Sequence, residues 1–134
     1  MQAIKYNAYG EEYHKAHRLM KIQIDRLYAE REDAETPAEK SKIENEINEE
    51  VAAFNLAWPK AKTYIDLHWA TVQGALDLVA RRVKGTRTKW LLEPGIGHGS
   101  KNNVPAIKRA LLKKYHGKIQ VDEFNKGLLI LKMR

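Results

Sequence analysis

The hydrophobic pattern of the chain changes its period at Pro59, and this change limits the folds that are open to it. Before Pro59, apolar residues recur at spacings of three and four along two stretches, which predicts two amphipathic helices. The first stripe consists of Tyr9, Tyr13, Ala16, Met20, Ile24 and Leu27, and the second of Ile43, Ile47, Val51, Phe54 and Trp58. Because the link between the stripes is short, we expect residues 1–60 to form an antiparallel helical hairpin.

A capping signal marks the start of the second helix. Thr36 suits the N-cap, Pro37 suits the first helical position, and Glu39 follows the cap by three residues. Together they form a capping box, in which side chains satisfy N–H groups that the first turn leaves unpaired. The sequence therefore predicts a helix that begins near Pro37 and ends before Pro59.

After Pro59, short strand-like runs alternate with helical stretches. Strands are predicted at "TYIDLH", "TKWLLE", "KIQVDEF" and "LLILKM", and helices from Thr71 to about Lys84 and from Val104 to Tyr115. Strand–helix–strand units favour parallel pairing with a right-handed crossover, and the Asn/Gly turn between the last two strands favours a hairpin. The predicted fold class is α/β, with residues 61–134 forming a βαβαββ two-layer sandwich that contains a small mixed sheet.

The two halves of the chain carry opposite net charge. Residues 1–60 contain 9 Lys and Arg against 12 Asp and Glu, whereas residues 61–134 contain 15 against 5, which gives −3 and +10. The basic half indicates an acidic partner such as nucleic acid or an anionic surface, although lysine-rich solvated surfaces are also common. With no membrane-length apolar run, no secretory signal and no cysteine, we expect a cytoplasmic or nuclear protein without a membrane partner.

A glycine-rich loop, "EPGIGHGSKNN", follows the second predicted strand. Parallel strands place their carboxyl ends at one sheet edge, so this loop should emerge beside "IDLH", where α/β proteins bind ligands. Glycines admit a close backbone approach, and the following helix N-terminus favours anions. The predicted phosphate-binding loop consists of Gly95, Ile96, Gly97, Gly99, Ser100, Lys101 and Asn102. Neither the Walker nor the dinucleotide pattern fits, and a plain strand-to-helix turn is the alternative.

Three segments of the chain resemble the Smr (small MutS-related) domain family and agree with it in order and spacing. They are "YIDLHWATVQGALDLVARRV", "WLLEPGIGHGSKNNVPAIKRALLKKY" and "GLLILKM". The similarity covers about residues 62–134, and the hairpin resembles the helical extension that often precedes eukaryotic Smr domains. The resemblance implies nucleic-acid binding and endonucleolytic cleavage, and for several eukaryotic relatives the cutting of messenger RNA on stalled ribosomes.

The resemblance assigns functional residues one at a time. Asp66 and His68 match the family's Asp-x-His pair, Gly95 and Gly97 match the loop glycines, and Ser100 matches the following serine. Trp69 stands where the family usually has glycine, Ile96 where relatives often have arginine or lysine, and His98 one position before the expected histidine. Since Ile96 cannot contact the scissile phosphate as a cation would, we expect this departure to weaken catalysis more than binding.

The chemistry of Asp66 and His68 also follows from the residues themselves. Two positions apart at a strand end, they place both side chains on one face of the sheet. A carboxylate beside an imidazole fixes its tautomer and leaves a group that titrates near neutral pH and can move a proton. The predicted catalytic residues are Asp66, His68 and His98, and these side chains could instead hold a divalent cation as a cofactor. Alternatively, Asp66 caps the next helix and His68 bonds to a loop.

Cationic and aromatic side chains around this edge could follow a nucleic-acid backbone. The predicted binding residues are Trp69, Arg81, Arg82, Lys84, Arg87, Lys89, Lys108 and Arg109. Trp69 could stack on an unpaired base, or it could pack the first helix onto the sheet.

These features favour a monomeric RNA-directed endonuclease, with the ribosome as a further candidate partner. A non-catalytic RNA- or ribosome-binding module and a DNA-nicking enzyme are the alternatives. A protein-interaction adaptor that uses the acidic hairpin is a third class, but it leaves the basic half unexplained.

Overall fold

The structure is a computed structural model that describes residues 10–95 and 105–133. The chain divides into two compact units, with the boundary between Lys62 and Thr63. No helix in the described part of the chain is both long enough and apolar enough to cross a membrane.

The first unit is a pair of helices, α1 (Glu11–Asp33) and α2 (Pro37–Ala57). The helices run antiparallel, because Arg31 near the end of α1 forms a 2.8 Å ion pair with Glu44 near the start of α2. At the other end, the Tyr13 ring lies 5.6 Å from the Phe54 ring, between centroids. The predicted stripes supply the buried contacts, which include Tyr13, Met20, Ile24, Leu27, Ile47, Val51 and Phe54.

The capping signal at Thr36 is confirmed. The Thr36 hydroxyl accepts a hydrogen bond from the Glu39 backbone N–H at 3.1 Å, and Pro37 occupies the first helical position. The Glu39 carboxylate reaches back to the N–H of Glu35 at 3.4 Å, one residue before the cap, so the box closes on a different donor from the predicted one.

The second unit is a mixed helix-and-sheet structure. Its elements are β1 (Tyr64–Asp66), α3 (Val72–Val83), β2 (Lys89–Glu93), α4 (Ala106–Lys114), β3 (Ile119–Val121) and β4 (Leu129–Lys132). Thr71 caps α3 as predicted, since its hydroxyl accepts from the Gly74 N–H at 3.0 Å. The prediction of helices combined with a small mixed sheet is confirmed, and the more specific two-layer sandwich stays a prediction.

The sheet has the strand order β1-β2-β4-β3. β1 pairs with β2 in parallel, whereas β4 is antiparallel to both β2 and β3. In the parallel pair, Asp66 lies opposite Glu93. The last residues of both strands therefore meet at one edge, which we call the carboxyl edge. The opposite edge, where β2 begins at Lys89, is the amino edge.

Alternation along the strands gives the sheet two different faces. The first face carries the buried core residues Ile65, Trp90, Leu92, Leu129 and Leu131. Arg82 in the last turn of α3 lies over the Trp90 ring, 5.6 Å from its centroid, so α3 runs along this face. The in-register residues Tyr64, Asp66, Lys89, Leu91, Glu93, Ile130 and Lys132 form the second face, which is charged at both ends and apolar between them.

Candidate functional site

Three titratable side chains meet at the carboxyl edge of the sheet. The Nδ1 atom of His68 lies 3.0 Å from Oδ1 of Asp66 and 3.2 Å from Oε2 of Glu93. The Asp66, Glu93 and His68 side chains are 11%, 20% and 41% exposed, so the His68 ring is the part that solvent reaches most. We call Asp66, His68 and Glu93 the His68 cluster.

The backbone after β1 directs His68 towards the carboxylates. The Leu67 N–H donates to the Glu93 carbonyl at 2.8 Å, which extends the pairing with β2 by one residue. Leu67 is fully buried, so its neighbours Asp66 and His68 point away from its side of the sheet. The Asp66 carboxylate also accepts the His68 backbone N–H at 3.0 Å. One carboxylate oxygen thus fixes both the main chain and the ring of His68.

Trp69 has an unusual backbone conformation. Its φ of 67° lies in the left-handed region, and it is the only non-glycine residue of the described ranges with positive φ. For an L-residue with a side chain this conformation costs ~1–2 kcal/mol. The Trp69 ring lies 5.4 Å from the His68 ring, between centroids, at a tilt of 49°. Trp69 therefore has a strained backbone immediately beside the His68 cluster, and such strain often occurs at functional sites.

Gly95 closes the other side of the His68 ring. A Cβ atom at this position would lie 2.9 Å from Cδ2 and 3.1 Å from Nε2 of His68, and Gly95 itself has a φ of 62°. The sequence suggested that glycine is needed here for a phosphate to approach. In the structure, the close neighbour that requires glycine is the imidazole ring.

The two carboxylates change the charge state of His68. Its pKa is raised to about 10, first by the hydrogen bond to Asp66 and then by the hydrogen bond to Glu93, which together outweigh the opposing effect of burial. The sequence-based expectation of a group that titrates near neutral pH is therefore wrong. At neutral pH His68 is an imidazolium, which can donate a proton and attract a phosphate but does not act as a base.

Sequence reasoning missed Glu93 and Tyr64. The Tyr64 hydroxyl donates to Oε1 of Glu93 at 2.5 Å, and this bond fixes the carboxylate that faces His68 through Oε2. A signal for Glu93 was present, because it ends the second predicted strand just as Asp66 ends the first. The last residues of two parallel, neighbouring strands lie near one another. The sequence does not give the register between the strands, so it does not show that Glu93 lies opposite Asp66.

The His68 cluster could hold a divalent cation. Asp66, His68 and Glu93 each offer one ligand atom, and these atoms all lie within 4.8 Å of one another. Imidazole with carboxylate ligands suits Mn²⁺ or Zn²⁺, provided that the metal replaces the proton on Nδ1. Glu93 joins Asp66 and His68 as a candidate ligand, and His98, the third residue predicted from the sequence, lies outside the described residues.

Most of the predicted phosphate-binding loop lies outside the described residues. This applies to Ile96, Gly97, Gly99, Ser100, Lys101 and Asn102, and also to His98, which was predicted as a catalytic residue. Gly95 belongs to the described part, and α4 begins at Ala106 after the gap.

The predicted basic residues fall into two groups at opposite edges of the sheet. Lys108 and Arg109 lie in the first turn of α4, and the Lys108 ammonium donates to the Lys126 carbonyl at 3.2 Å in the turn that follows β3. The second group lies at the end of α3 and the start of β2, and consists of Arg81, Arg82, Lys84, Arg87 and Lys89. Lys89 and Glu93 are separated along β2 by ~13 Å, at ~3.3 Å per residue, so this group does not surround the His68 cluster.

Comparison with known proteins adds no assignment to this geometry. No protein-family model, no curated protein and no solved structure matches the chain significantly.

Proposed function

We propose that residues 61–134 form an Smr-like βαβαββ domain that binds nucleic acid and cleaves RNA at the His68 cluster. The observation that carries this function is the His68 ring, which is held between two carboxylates at the carboxyl edge and at the start of the glycine-rich loop. A fixed imidazolium at the ligand-binding edge of a sheet, in a half with a net charge of +10, suits a phosphodiester substrate.

The backbone at Trp69 supports the resemblance to Smr domains. Trp69 stands at the position of the family's glycine after Asp-Leu-His, and its φ of 67° is a conformation that glycine adopts readily. Residue 69 therefore has a backbone conformation that suits glycine, the residue usual at this position in the family, although the side chain here is tryptophan.

The cluster can supply acid catalysis and charge stabilisation. The Asp66 and Glu93 carboxylates both face Nδ1, so Nε2 is the nitrogen that can face a substrate. The 2′-hydroxyl of the RNA attacks phosphorus and loses its proton to solvent, and the bond from phosphorus to the 5′-oxygen breaks. An Nε2–H group can stabilise charge on a phosphoryl oxygen and can donate its proton to that leaving 5′-oxygen. When the proton leaves, Nδ1–H stays hydrogen-bonded to the carboxylates, which keeps the ring in place as in other carboxylate–histidine pairs.

Cleavage is tested by incubating the full chain with end-labelled single-stranded RNA, duplex RNA and supercoiled plasmid, each with Mg²⁺ or EDTA. We expect internal cuts in RNA that are lost in His68→Gln. His116→Gln, the same substitution at an exposed histidine of the α4–β3 turn, is the matched control and should cut like the wild type. Cutting that persists in His68→Gln, or that occurs only in the plasmid, would contradict RNA cleavage at this cluster.

The charge state of His68 also favours a second candidate, a non-catalytic RNA- or ribosome-binding module. A histidine whose pKa is raised to about 10 by the hydrogen bonds to Asp66 and Glu93 is a lasting cation and can serve as a phosphate contact without transferring a proton. RNA binding that depends on salt and on His68, with no cleavage under any condition above, would favour this candidate.

A further inference from the structure

A second basic surface lies at the amino edge of the sheet, away from the His68 cluster. It consists of Arg87, Lys89, Lys118 and Lys132, all of which are exposed. We call these four residues the amino-edge surface. The segments that form it, residues 84–90, 115–120 and 129–133, contain no Asp or Glu.

Backbone pairing brings these four residues together. Lys89 and Lys132 are directly opposite partners in the β2–β4 ladder. The Lys132 N–H donates to the Lys118 carbonyl at 2.8 Å, and the Met133 N–H donates to the Thr88 carbonyl at 3.1 Å, next to Arg87. The surface therefore spans β2, β4 and the start of β3, and hydrogen bonds fix its backbone.

The Lys89–Lys132 pair is unfavourable for the protein alone. Like charges directly opposite one another on neighbouring strands repel and destabilise the sheet. Within the described residues, no carboxylate forms a salt bridge with either ammonium group. Such a pair indicates an external anion, because a phosphate between the two ammonium groups turns repulsion into attraction.

Two shallow cavities give an anion a place to lie. One of about 290 Å³ is lined by Arg87, Thr88, Lys89, Lys132 and Met133. Another of about 510 Å³ is lined by Gly117, Lys118, Ile119, Gln120 and Lys132. Lys132 borders both cavities, so they adjoin at its side chain, and we call the two cavities together the groove.

The groove shares a face of the sheet with the His68 cluster. Lys89, Leu91 and Glu93 alternate with the buried residues of β2, so all three belong to the second face. The path from Lys89 to Glu93 is ~13 Å at ~3.3 Å per residue. This length matches about four nucleotides at ~3.4 Å of axis per nucleotide in one strand of a duplex.

From these contacts we infer that the amino-edge surface is a second phosphate-binding site, which holds the backbone of the nucleic-acid strand about four nucleotides from the phosphate at the His68 cluster. The apolar middle of the face, formed by Leu91 and Ile130 between the two charged ends, contacts the nucleotides in between. This second site presupposes the proposed function, because its ligand is the strand bound at His68. To the proposed function it adds a minimum length of the bound strand and a path for that strand along β2.

The test measures binding of the full chain to 2′-O-methyl RNA, which keeps the phosphates but has no free 2′-hydroxyl to attack them. Lys89→Ala/Lys132→Ala is compared with Lys40→Ala/Lys42→Ala, which removes the same charge from exposed positions of α2. Each lost phosphate contact lowers the salt slope by about one. For a 12-nucleotide strand we expect the Lys89/Lys132 variant to bind about tenfold more weakly or worse near 0.1 M salt, with a slope lower by about two.

A dinucleotide provides the length control. It has one internucleotide phosphate and cannot occupy both sites at once, so we expect the two double variants to differ far less in their affinity for it than for the 12-nucleotide strand. Equal losses for the two lengths, equal losses for the two double variants, or no RNA binding would overturn the second site. A loss of binding to anionic phosphatidylserine vesicles with unchanged RNA affinity would assign the surface to a membrane and overturn it too.

The two proposals fail in distinguishable ways. If the wild-type protein binds RNA but does not cut it, the nuclease proposal is excluded, and the length-dependent effect of the lysine substitutions still tests the second site. If the wild-type protein cuts RNA and the Lys89/Lys132 variant cuts and binds 12-mers equally well, the nuclease proposal stands and the second site is excluded.

Discussion

Gly95 and the His68 ring are in such close contact that a methyl group added at residue 95 would lie 2.9 Å from Cδ2 of the imidazole. The backbone at Gly95, just after β2, thereby forms one wall of the site, and the carboxylates of Asp66 and Glu93 form another. The ring cannot tilt towards Gly95, and this restricts the directions in which its Nε2 atom can point.

Gly95→Ala should destabilise the protein more than the same change at a glycine with free space around it. Gly85 is the matched control, since its φ of 76° is equally unfavourable for alanine and no atom lies within 4 Å of the added Cβ. Both variants should lose ~1–2 kcal/mol from the left-handed backbone. Gly95→Ala should lose a further ~1–3 kcal/mol from crowding against His68. Urea unfolding measures both changes, and equal losses would contradict the close contact.

Trp69→Gly should be more stable than Trp69→Ala. Both variants lose the ring contact with His68, but only alanine keeps a Cβ in the left-handed conformation seen at φ 67°. The difference should be ~1 kcal/mol in favour of glycine, which reverses the usual order of these residues outside such conformations. Thermal melts of the two variants provide the measurement. A more stable alanine variant would show that residue 69 does not need positive φ.

The stability of the fold should decrease between neutral and alkaline pH because of His68. Its pKa is raised from an unfolded value of 6.5 to about 10 by the hydrogen bonds to Asp66 and then Glu93. A raised pKa gives a stabilisation that is fully present below pH 6.5 and is lost as the pH rises towards 10. Unfolding free energies of wild type and His68→Gln at pH 6, 8 and 10 should therefore converge as the pH increases. A constant difference would show that His68 does not titrate in this range.

Asp66→Asn and His68→Ala should each slow RNA cleavage by ~10²-fold or more, because general acid–base catalysis is typically worth that much. RNA affinity should change little in comparison. Single-turnover cleavage rates and filter binding separate the two effects. Equal losses of rate and affinity would assign the pair a structural role.

Glu93→Gln should move the alkaline limit of cleavage to lower pH. The substitution removes the second carboxylate that faces Nδ1, and the hydrogen bond to Asp66, the larger cause of the raised pKa, remains. The wild-type rate should hold up to about pH 9 and then fall, and the variant should fall earlier. Tyr64→Phe, which removes the hydroxyl that donates to Glu93 but leaves both carboxylates in place, should change this limit less than Glu93→Gln does. Identical pH profiles for all three proteins would exclude Glu93 from the site.

Local signals in the sequence were enough to place the helices. The caps at Thr36 and Thr71 depend on residues three positions apart, so they could be predicted without any knowledge of the tertiary structure. The pairing of Asp66 with His68 was predictable for the same reason. Glu93 lies 27 residues after Asp66 in the chain, and its role depends on the strand register. The hydrogen bond to Asp66 is the larger cause of the raised pKa of His68 and its direction was predictable, whereas the further rise caused by Glu93 depends on that register.

The positions of the cations needed long-range information too. Arg87 and Lys89 come only a few residues before the glycine loop in the sequence, and this proximity predicts that they lie beside it. The whole length of β2 separates Arg87 and Lys89 from the glycine loop. Antiparallel pairing with β4 places Lys132 beside Lys89 instead. Net charge located the basic half correctly but gave no information about which edge of the sheet each cation occupies.

Both outer strands of the sheet, β1 and β3, are only three residues long. An outer strand presents unpaired main-chain groups on which another extended chain can add, and long flat outer strands promote aggregation in this way. Three residues offer a foreign strand very few such groups, and the flanking Lys118 adds a charge beside β3. The sheet is thus built to remain small, and growth by strand addition is unfavourable at either side.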